Sequence, residues 1–203
     1  MKLHLSRQSI EKQKKRYLVF ISIILLFIVL GFFFYFIISD SNKELVTKTQ
    51  IDFFNSIFNN KINYLSSFIN SFISNFIYIF IIFILGFSLV GFIFVLLVII
   101  FKSFVLGFSI SSIVGTYGLK GILLSLLYVF PHHIVYLISL LLIGYYSCGF
   151  CFKLYRYIFK KSIINFKKLK EKYIKIFLIC VFVSLLCSLY EVFVMSKLIL
   201  LLI

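Results

Sequence analysis

The sequence contains no alanine, no tryptophan and a single proline, Pro131. It has only six acidic residues against 21 lysines and arginines, so its formal net charge is +15. Phenylalanine, isoleucine and lysine are abundant instead, a bias typical of AT-rich coding sequence. Part of the aromatic and basic excess therefore needs no functional explanation.

The motifs that carry common enzyme chemistry are also missing. The sequence has no G-x-S-x-G, no H-E-x-x-H and no glycine-rich phosphate loop, and its few carboxylates are scattered. We therefore expect a protein that is not an enzyme and binds no cofactor. The basic tracts lack the interleaved aromatic pattern of nucleic-acid binders, so the lipid bilayer, and not a nucleic acid, is the expected partner.

Hydrophobic residues make up 63% of the chain, and the mean hydropathy is +1.14. A soluble domain of 203 residues does not bury that much apolar surface, so lipid must be the solvent for most of this chain. The sequence predicts an all-α integral membrane protein with about five transmembrane helices and up to six helical segments.

A basic tail and an apolar helix form the first predicted part of the chain. Residues 1–16 hold six lysines and arginines against one glutamate. The apolar run 17–38 is long enough to cross about 30 Å of hydrocarbon, and no small-residue cleavage site follows it. We expect an uncleaved first transmembrane helix with the N-terminus in the cytoplasm.

Residues 39–75 form a predicted extracytoplasmic amphipathic segment. Its apolar residues recur every three or four positions, which is the helical spacing. They are Ile51, Phe54, Phe58, Ile62, Leu65, Ile69, Phe72 and, at its end, Phe76. Partner binding by this segment and passive packing on lipid or on the bundle are both open interpretations.

Residues 76–152 are predicted to contain three spans. The first covers 76–101 and ends at Lys102, the second is short and covers about 103–116, and the third covers about 121–144. The second carries a stripe of small residues at intervals of four, which lets membrane helices approach closely. The stripe consists of Ser103, Gly107, Ser111 and Gly115.

Pro131 interrupts the third of these spans. Proline removes a helical hydrogen bond and clashes with the preceding turn, so we expect a broken helix there. His132 and His133 follow directly, but adjacent helical residues point about 100° apart, which disfavours one shared metal ion. We expect no metal site and favour a hydrogen bond from a polar side chain to a carbonyl that the proline frees.

A second basic block precedes the last predicted span. Residues 153–175 hold nine lysines and arginines against Glu171, which predicts a cytoplasmic segment. The last span is predicted over 176–203 and leaves the C-terminus outside. Five spans leave no room for two equal inverted repeats.

Glu191 is an acidic residue inside this last span, where such a side chain usually faces a partner or water. Lys102, Lys120 and a histidine are its candidate partners, and direct access to water at the interface is the alternative. The chain also has four cysteines in apolar surroundings, which we interpret as small hydrophobic residues.

The run from Phe101 to Gly144 resembles the core of the stage II sporulation protein M family. In that family a K-x-F-x-x-G-F helix precedes a G-x-x-G turn, a leucine-rich segment and a proline followed by histidine or glutamine. The matching positions are Lys102, Phe104, Gly107, Phe108, Gly118, Gly121, Pro131 and His132. The wider family often has a glutamate shortly after this motif, where Tyr136 stands here, closer to the sporulation branch.

The resemblance implies a scaffold in the mother-cell or septal membrane of a Gram-positive endospore former. Such a scaffold would recruit the sporulation proteins D and P, which remodel peptidoglycan during engulfment, and these partners would perform the chemistry. The alternative function is a small transporter or channel component, suggested by the break at Pro131 beside His132 and by Glu191. No residue is predicted to be catalytic; Lys102, the small-residue stripe, Pro131, His132 and Glu191 are candidate structural or interaction residues.

Overall fold

The computed structural model describes residues 2–59, 63–160 and 166–201, and every regular element within these ranges is a helix. The elements are α1 (Lys2–Ile37), α2 (Asp40–Phe58), α3 (Tyr64–Leu85), α4 (Gly91–Tyr117), α5 (Leu119–Tyr128), α6 (Phe130–Lys160), α7 (Phe166–Leu189), a π-helical turn (Tyr190–Met195) and α8 (Ser196–Leu201).

Five stretches of helix are long and apolar enough to cross a membrane. They are Leu18–Ile37, Tyr64–Leu85, Gly91–Tyr117, Phe130–Phe159 and Phe166–Ile199. The predicted all-α membrane architecture with five spans is therefore confirmed. We call the end of the bundle that holds α2 and Gly118 the outer end and the opposite end the inner end, after the predicted orientation.

α1 and α4, the first and third spans, run in the same direction and pack closely. A Cβ at Gly107 would collide with the carbonyl oxygen of Ile28, and one at Gly115 would collide with the ring of Tyr35. The two glycines of the predicted stripe thus allow α1 to approach α4. Since two spans separated by one crossing must point the same way, this packing fits a chain that crosses alternately.

α3 and α6 also run parallel, and α7 packs against both in the opposite direction. Three hydrogen bonds progress in the same sense along α3 and α6, from Tyr136 to the Asn75 carbonyl, from Ser147 to the Ile82 carbonyl and from Cys151 to the Gly86 carbonyl. Tyr173, near the start of α7, donates to the Phe83 carbonyl at 3.0 Å, whereas Ser188, near its end, contacts the Asn75 side chain at 3.3 Å.

The segment predicted as one amphipathic helix over 39–75 is divided between two elements. α2 ends at Phe58, and the second span begins at Tyr64. Asn63 caps α3, because its side chain accepts a hydrogen bond from the Ser66 amide at 3.2 Å. Ile62 of the predicted apolar stripe lies outside the described residues.

The apolar run 76–101 is not one span, which corrects the boundaries predicted for the middle of the chain. It contains the end of α3, a turn over 86–90 and the start of α4. Gly91 is required in this arrangement, because a Cβ there would collide with the Leu85 carbonyl oxygen. The predicted short span 103–116 is the second half of α4, so Lys102 lies within a span and not at its end.

The broken helix predicted at Pro131 is present, with the break at Val129 between α5 and α6. Pro131 is the second residue of α6, where a backbone N–H has no helical acceptor and its loss costs little. The predicted boundaries 121–144 are wrong: α5 has only 10 residues, and the fourth span is Phe130–Phe159.

Candidate functional site

Polar side chains from four elements meet inside the bundle, toward its outer end. Ser71 comes from α3, Tyr128 from the end of α5, His132 from the first turn of α6 and Glu191 from the π-helical turn. We call these four residues the Glu191 cluster. Because each belongs to a different element, their contacts connect parts of the fold that are distant in sequence.

The Glu191 carboxylate is the acceptor at the centre of this cluster. The Ser71 hydroxyl donates to its Oε2 at 2.5 Å, and the Tyr128 hydroxyl donates to its Oε1 at 3.3 Å. The Nε2 atom of His132 lies 3.7 Å from Oε2. The side chain of His132 is 1% exposed and that of Glu191 is 19% exposed, so both are largely removed from solvent. Hydrogen bonds to an ionised carboxylate are stronger than those between neutral groups.

A π-helical turn from Tyr190 to Met195 carries Glu191. Such turns insert an extra residue into an α-helix, and they occur frequently at functional sites. Here the turn separates α7 from α8 and brings Glu191 to α3, α5 and α6. No feature of the sequence indicated it.

Lys102 adds a positive charge close to this cluster. Its Nζ lies 4.3 Å from the ring centre of Tyr78 and 5.5 Å from that of Tyr136, which are distances of cation–π interactions. Tyr136 lies one helical turn after His132 on α6, so this contact places Lys102 in the neighbourhood of the cluster. Of the candidate partners of Glu191, His132 and Lys102 are thus nearby, whereas Lys120 is exposed on α5.

The two histidines have unmatched polar atoms. Neither ring nitrogen of His132 has a hydrogen-bond partner among the described residues, and Nδ1 of His133 also has none. His132 therefore does not supply the hydrogen bond that was predicted from a polar side chain to a freed carbonyl. In the described part of the chain, no group of three or more histidine, cysteine, aspartate or glutamate side chains is arranged to hold a metal ion.

The small-residue stripe of α4 has a packing role. Ser103 and Ser111 are fully buried, and their hydroxyls donate to the carbonyls of Ile99 and Phe108 in the same helix. The glycines of the stripe contact α1, as described above. Of the predicted site residues, the structure thus brings Lys102, His132 and Glu191 together, places Pro131 beside them and leaves the stripe in a separate interface.

The four cysteines are free and buried. The thiol of Cys151 donates to the Gly86 carbonyl at 3.3 Å, and that of Cys180 donates to the Ser139 carbonyl at 3.4 Å. Cys148 and Cys187 belong to the hydrophobic core. Their positions agree with the interpretation of these residues as small hydrophobic side chains.

Five apolar spans, a separate outer helix and a buried polar cluster define a polytopic α-helical membrane protein. The family model of stage II sporulation protein M matches residues 21–196, from α1 to the start of α8. The chain therefore belongs to the stage II sporulation protein M family and is a sporulation-related membrane protein. No curated protein and no solved structure is detectably similar to it.

Proposed function

We propose that the protein is a non-enzymatic membrane scaffold that recruits peptidoglycan-remodelling partners during engulfment in endospore formation. Its partners are the sporulation membrane proteins D and P, and it acts in the mother-cell or septal membrane. The family match over residues 21–196 supports the setting in sporulation. The structure contributes a surface suited to recruitment.

The observation that carries this proposal is the docking of α2, which lies outside the five spans. Phe54 is fully buried, and its ring centre lies 5.2 Å from that of Tyr117. The Gln50 side chain donates to the Ser112 hydroxyl at 3.1 Å. Packing and hydrogen bonding of this kind hold the helix against the bundle, so α2 presents a fixed surface and is not a free tether.

The exposed face of α2 carries charges of both signs. Glu44, Lys48 and Asp52 lie four residues apart on one side of the helix, and all three are exposed. Leu45 beside them is 69% exposed. Charged groups around an apolar side chain favour contacts with a partner of complementary charge pattern, which gives specificity and orientation. We assign recruitment to this face.

The Glu191 cluster supports the same surface from inside the bundle. Tyr128 belongs to both regions: its hydroxyl donates to Glu191, and its ring centre lies 5.4 Å from that of Phe53 and 6.0 Å from that of Phe54. The carboxylate thus fixes the residue on which α2 rests. In this proposal the cluster has a structural role: it stabilises the position of Tyr128 and thereby that of α2.

Co-purification from sporulating cells tests the proposal. The double variant E44K/D52K reverses two exposed acidic residues of this α2 face, and E171K makes the same kind of change at an exposed residue of α7 near the inner end. We expect E44K/D52K to lose the D and P partners and E171K to retain them at equal protein levels. Equal recovery with both variants, or normal engulfment without the protein, would contradict recruitment through α2.

A second candidate function is transport, and the charges of Lys102 and Glu191 inside the spans favour it. Ionisable groups at membrane depth often belong to ion or proton pathways, and His132 lies 3.7 Å from Glu191. Ion and proton flux into proteoliposomes discriminates between the candidates. Flux through the wild-type protein that both E191Q and H132N abolish would assign a transport function. Proteoliposomes that are no more permeable than protein-free vesicles would favour the scaffold function.

A further inference from the structure

The inner end of the bundle contains a cleft between α1, α4, α6 and α7. Its volume is about 1030 Å³, at the upper end of the range of about 300–1,000 Å³ typical of ligand pockets. We call it the inner cleft. Its lining includes cationic, aromatic and apolar side chains, among them Lys153, Arg156, Lys172, Tyr146, Phe92 and Leu96.

Three cations line the inner cleft without an acidic counterpart. Lys153 and Arg156 come from the last turns of α6, and Lys172 comes from the second turn of α7. All three side chains are exposed, and no acidic residue is among the lining residues whose side chains the structure describes. Within the described ranges, none of the three forms an ion pair. The cleft therefore has three positive charges for an anion to neutralise.

One wall of the inner cleft is apolar. Phe20 and Ile23 of α1 and Phe92 and Leu96 of α4 supply it. The Nζ atom of Lys172 lies 5.1 Å from the ring centre of Tyr146, which joins the cationic side to an aromatic one. A ligand that fits both sides has an anionic head and an apolar body.

The position of the cleft along the spans matches this type of ligand. Its cations belong to the basic block 153–175, which the distribution of charge predicts at the cytoplasmic surface. Phe92 and Leu96 lie in the first two turns of α4, within the third span. A headgroup at the cations would thus have its acyl chains beside hydrocarbon.

We propose that the inner cleft binds an anionic phospholipid of the cytoplasmic leaflet, with Lys153, Arg156 and Lys172 around its phosphate. Arginine pairs with phosphate in a two-pronged geometry, and lysine acts as a point charge. Basic pockets between membrane helices bind such headgroups elsewhere. A lipid held there contacts α1, α4, α6 and α7 at once and so fixes the inner ends of these four helices relative to one another.

The test measures lipid binding by the purified full-length protein in detergent. Phosphatidylglycerol is titrated against phosphatidylcholine, with native mass spectrometry and the unfolding temperature as readouts. The variant K153Q/R156Q/K172Q removes the three cations of the cleft. The matched control K167Q/K170Q/K175Q removes three exposed cations of the same basic block that do not line it. We expect the first variant to bind phosphatidylglycerol at least about tenfold more weakly and the control to bind within about threefold of wild type.

Gly149 provides an independent steric test. It lines the cleft, and a Cβ at this position would meet no atom within 4 Å. G149L therefore adds an apolar side chain to the lining at a position where its Cβ meets no neighbour, and it removes no cation. We expect it to weaken phosphatidylglycerol binding as well. Unfolding temperatures without lipid check that each variant is folded.

Two outcomes would overturn the proposal. Equal weakening by the cleft variant and the matched control would assign lipid binding to the general charge of the basic block. Displacement of phosphatidylglycerol by inorganic phosphate at equal concentration would assign a site for free anions. Neither outcome bears on recruitment through α2, because that test reads partner recovery.

Discussion

The Glu191 cluster and the inner cleft are polar regions at opposite ends of the bundle, and they differ in how their charges are compensated. In the cluster, one carboxylate meets hydroxyl donors from two helices and lies near His132 and Lys102. In the cleft, three cations face open space, and the lining residues that the structure describes include no acid. In the first region the protein itself supplies the groups that interact with the charge. In the second region the charges are available to an anionic ligand.

Depth in the membrane explains this difference. An uncompensated charge among the spans is costly, so Glu191 and Lys102 need partners from the protein itself. At the inner end, water and lipid headgroups solvate cations, and Lys153, Arg156 and Lys172 need no acidic neighbour to be tolerated. Charged side chains therefore join helices in one region and are available to bind an anion in the other.

The largest expected effect concerns the side of the membrane on which each region lies. A cysteine is either accessible or inaccessible to a reagent that does not cross the membrane. Single cysteines at Asp40 and Gly118 should react with a membrane-impermeant maleimide in intact cells, and a cysteine at Lys160 only after permeabilisation. The native cysteines are buried, so their background labelling should be low. A cysteine at Gly118 that is protected until cells are opened would contradict the alternating crossings.

Truncation of a charged residue should affect the two regions unequally. We expect E191A to destabilise the protein by about 2–3 kcal/mol, because the partly buried hydroxyls of Ser71 and Tyr128 lose the carboxylate to which they donate. K172A should change stability by less than about 0.5 kcal/mol in lipid-free micelles, since its side chain is exposed. Equilibrium unfolding in lipid-free detergent micelles measures the free-energy changes of both variants. A loss of stability as large for K172A as for E191A would contradict the proposed difference between the cluster and the cleft.

Two glycines near the inner end differ in the space around them, because one is tightly packed and the other faces open space. A Cβ at Gly86 would collide with the Tyr173 hydroxyl and lie 2.7 Å from the Ser147 hydroxyl, whereas one at Gly149 would meet nothing within 4 Å. We expect G86A to cost about 1–2 kcal/mol and G149A to be neutral or slightly stabilising. The unfolding assay used for E191A measures this difference, and equal effects of the two changes would show that the cleft is filled by protein.

The number of spans and their order followed from the sequence, but several boundaries did not. Basic blocks and long apolar runs indicate crossings directly. The turn at 86–90 lies inside a continuous apolar run, and its signal is limited to Gly86, Ser88 and Gly91. Because the sequence shows one unbroken apolar run before Lys102, it predicts Lys102 at the end of a span and not within one.

The candidate site was predictable in part. Glu191 stood out as an acid in an apolar segment, and a histidine and Lys102 were among its candidate partners. Ser71 and Tyr128 were missed because hydroxyl residues are frequent in this chain and only the packing of α3 and α5 selects these two. The π-helical turn over Tyr190–Met195 had no signal in the sequence.

Recovery of sporulation protein D with the full-length protein from sporulating cells tests the central claim most directly. The claim is that recruitment depends on the exposed face of α2 and is separable from the inner cleft. At equal protein levels, E44K/D52K should lose protein D, and K153Q/R156Q/K172Q should retain it. Retention by the α2 variant together with loss by the cleft variant would contradict the account.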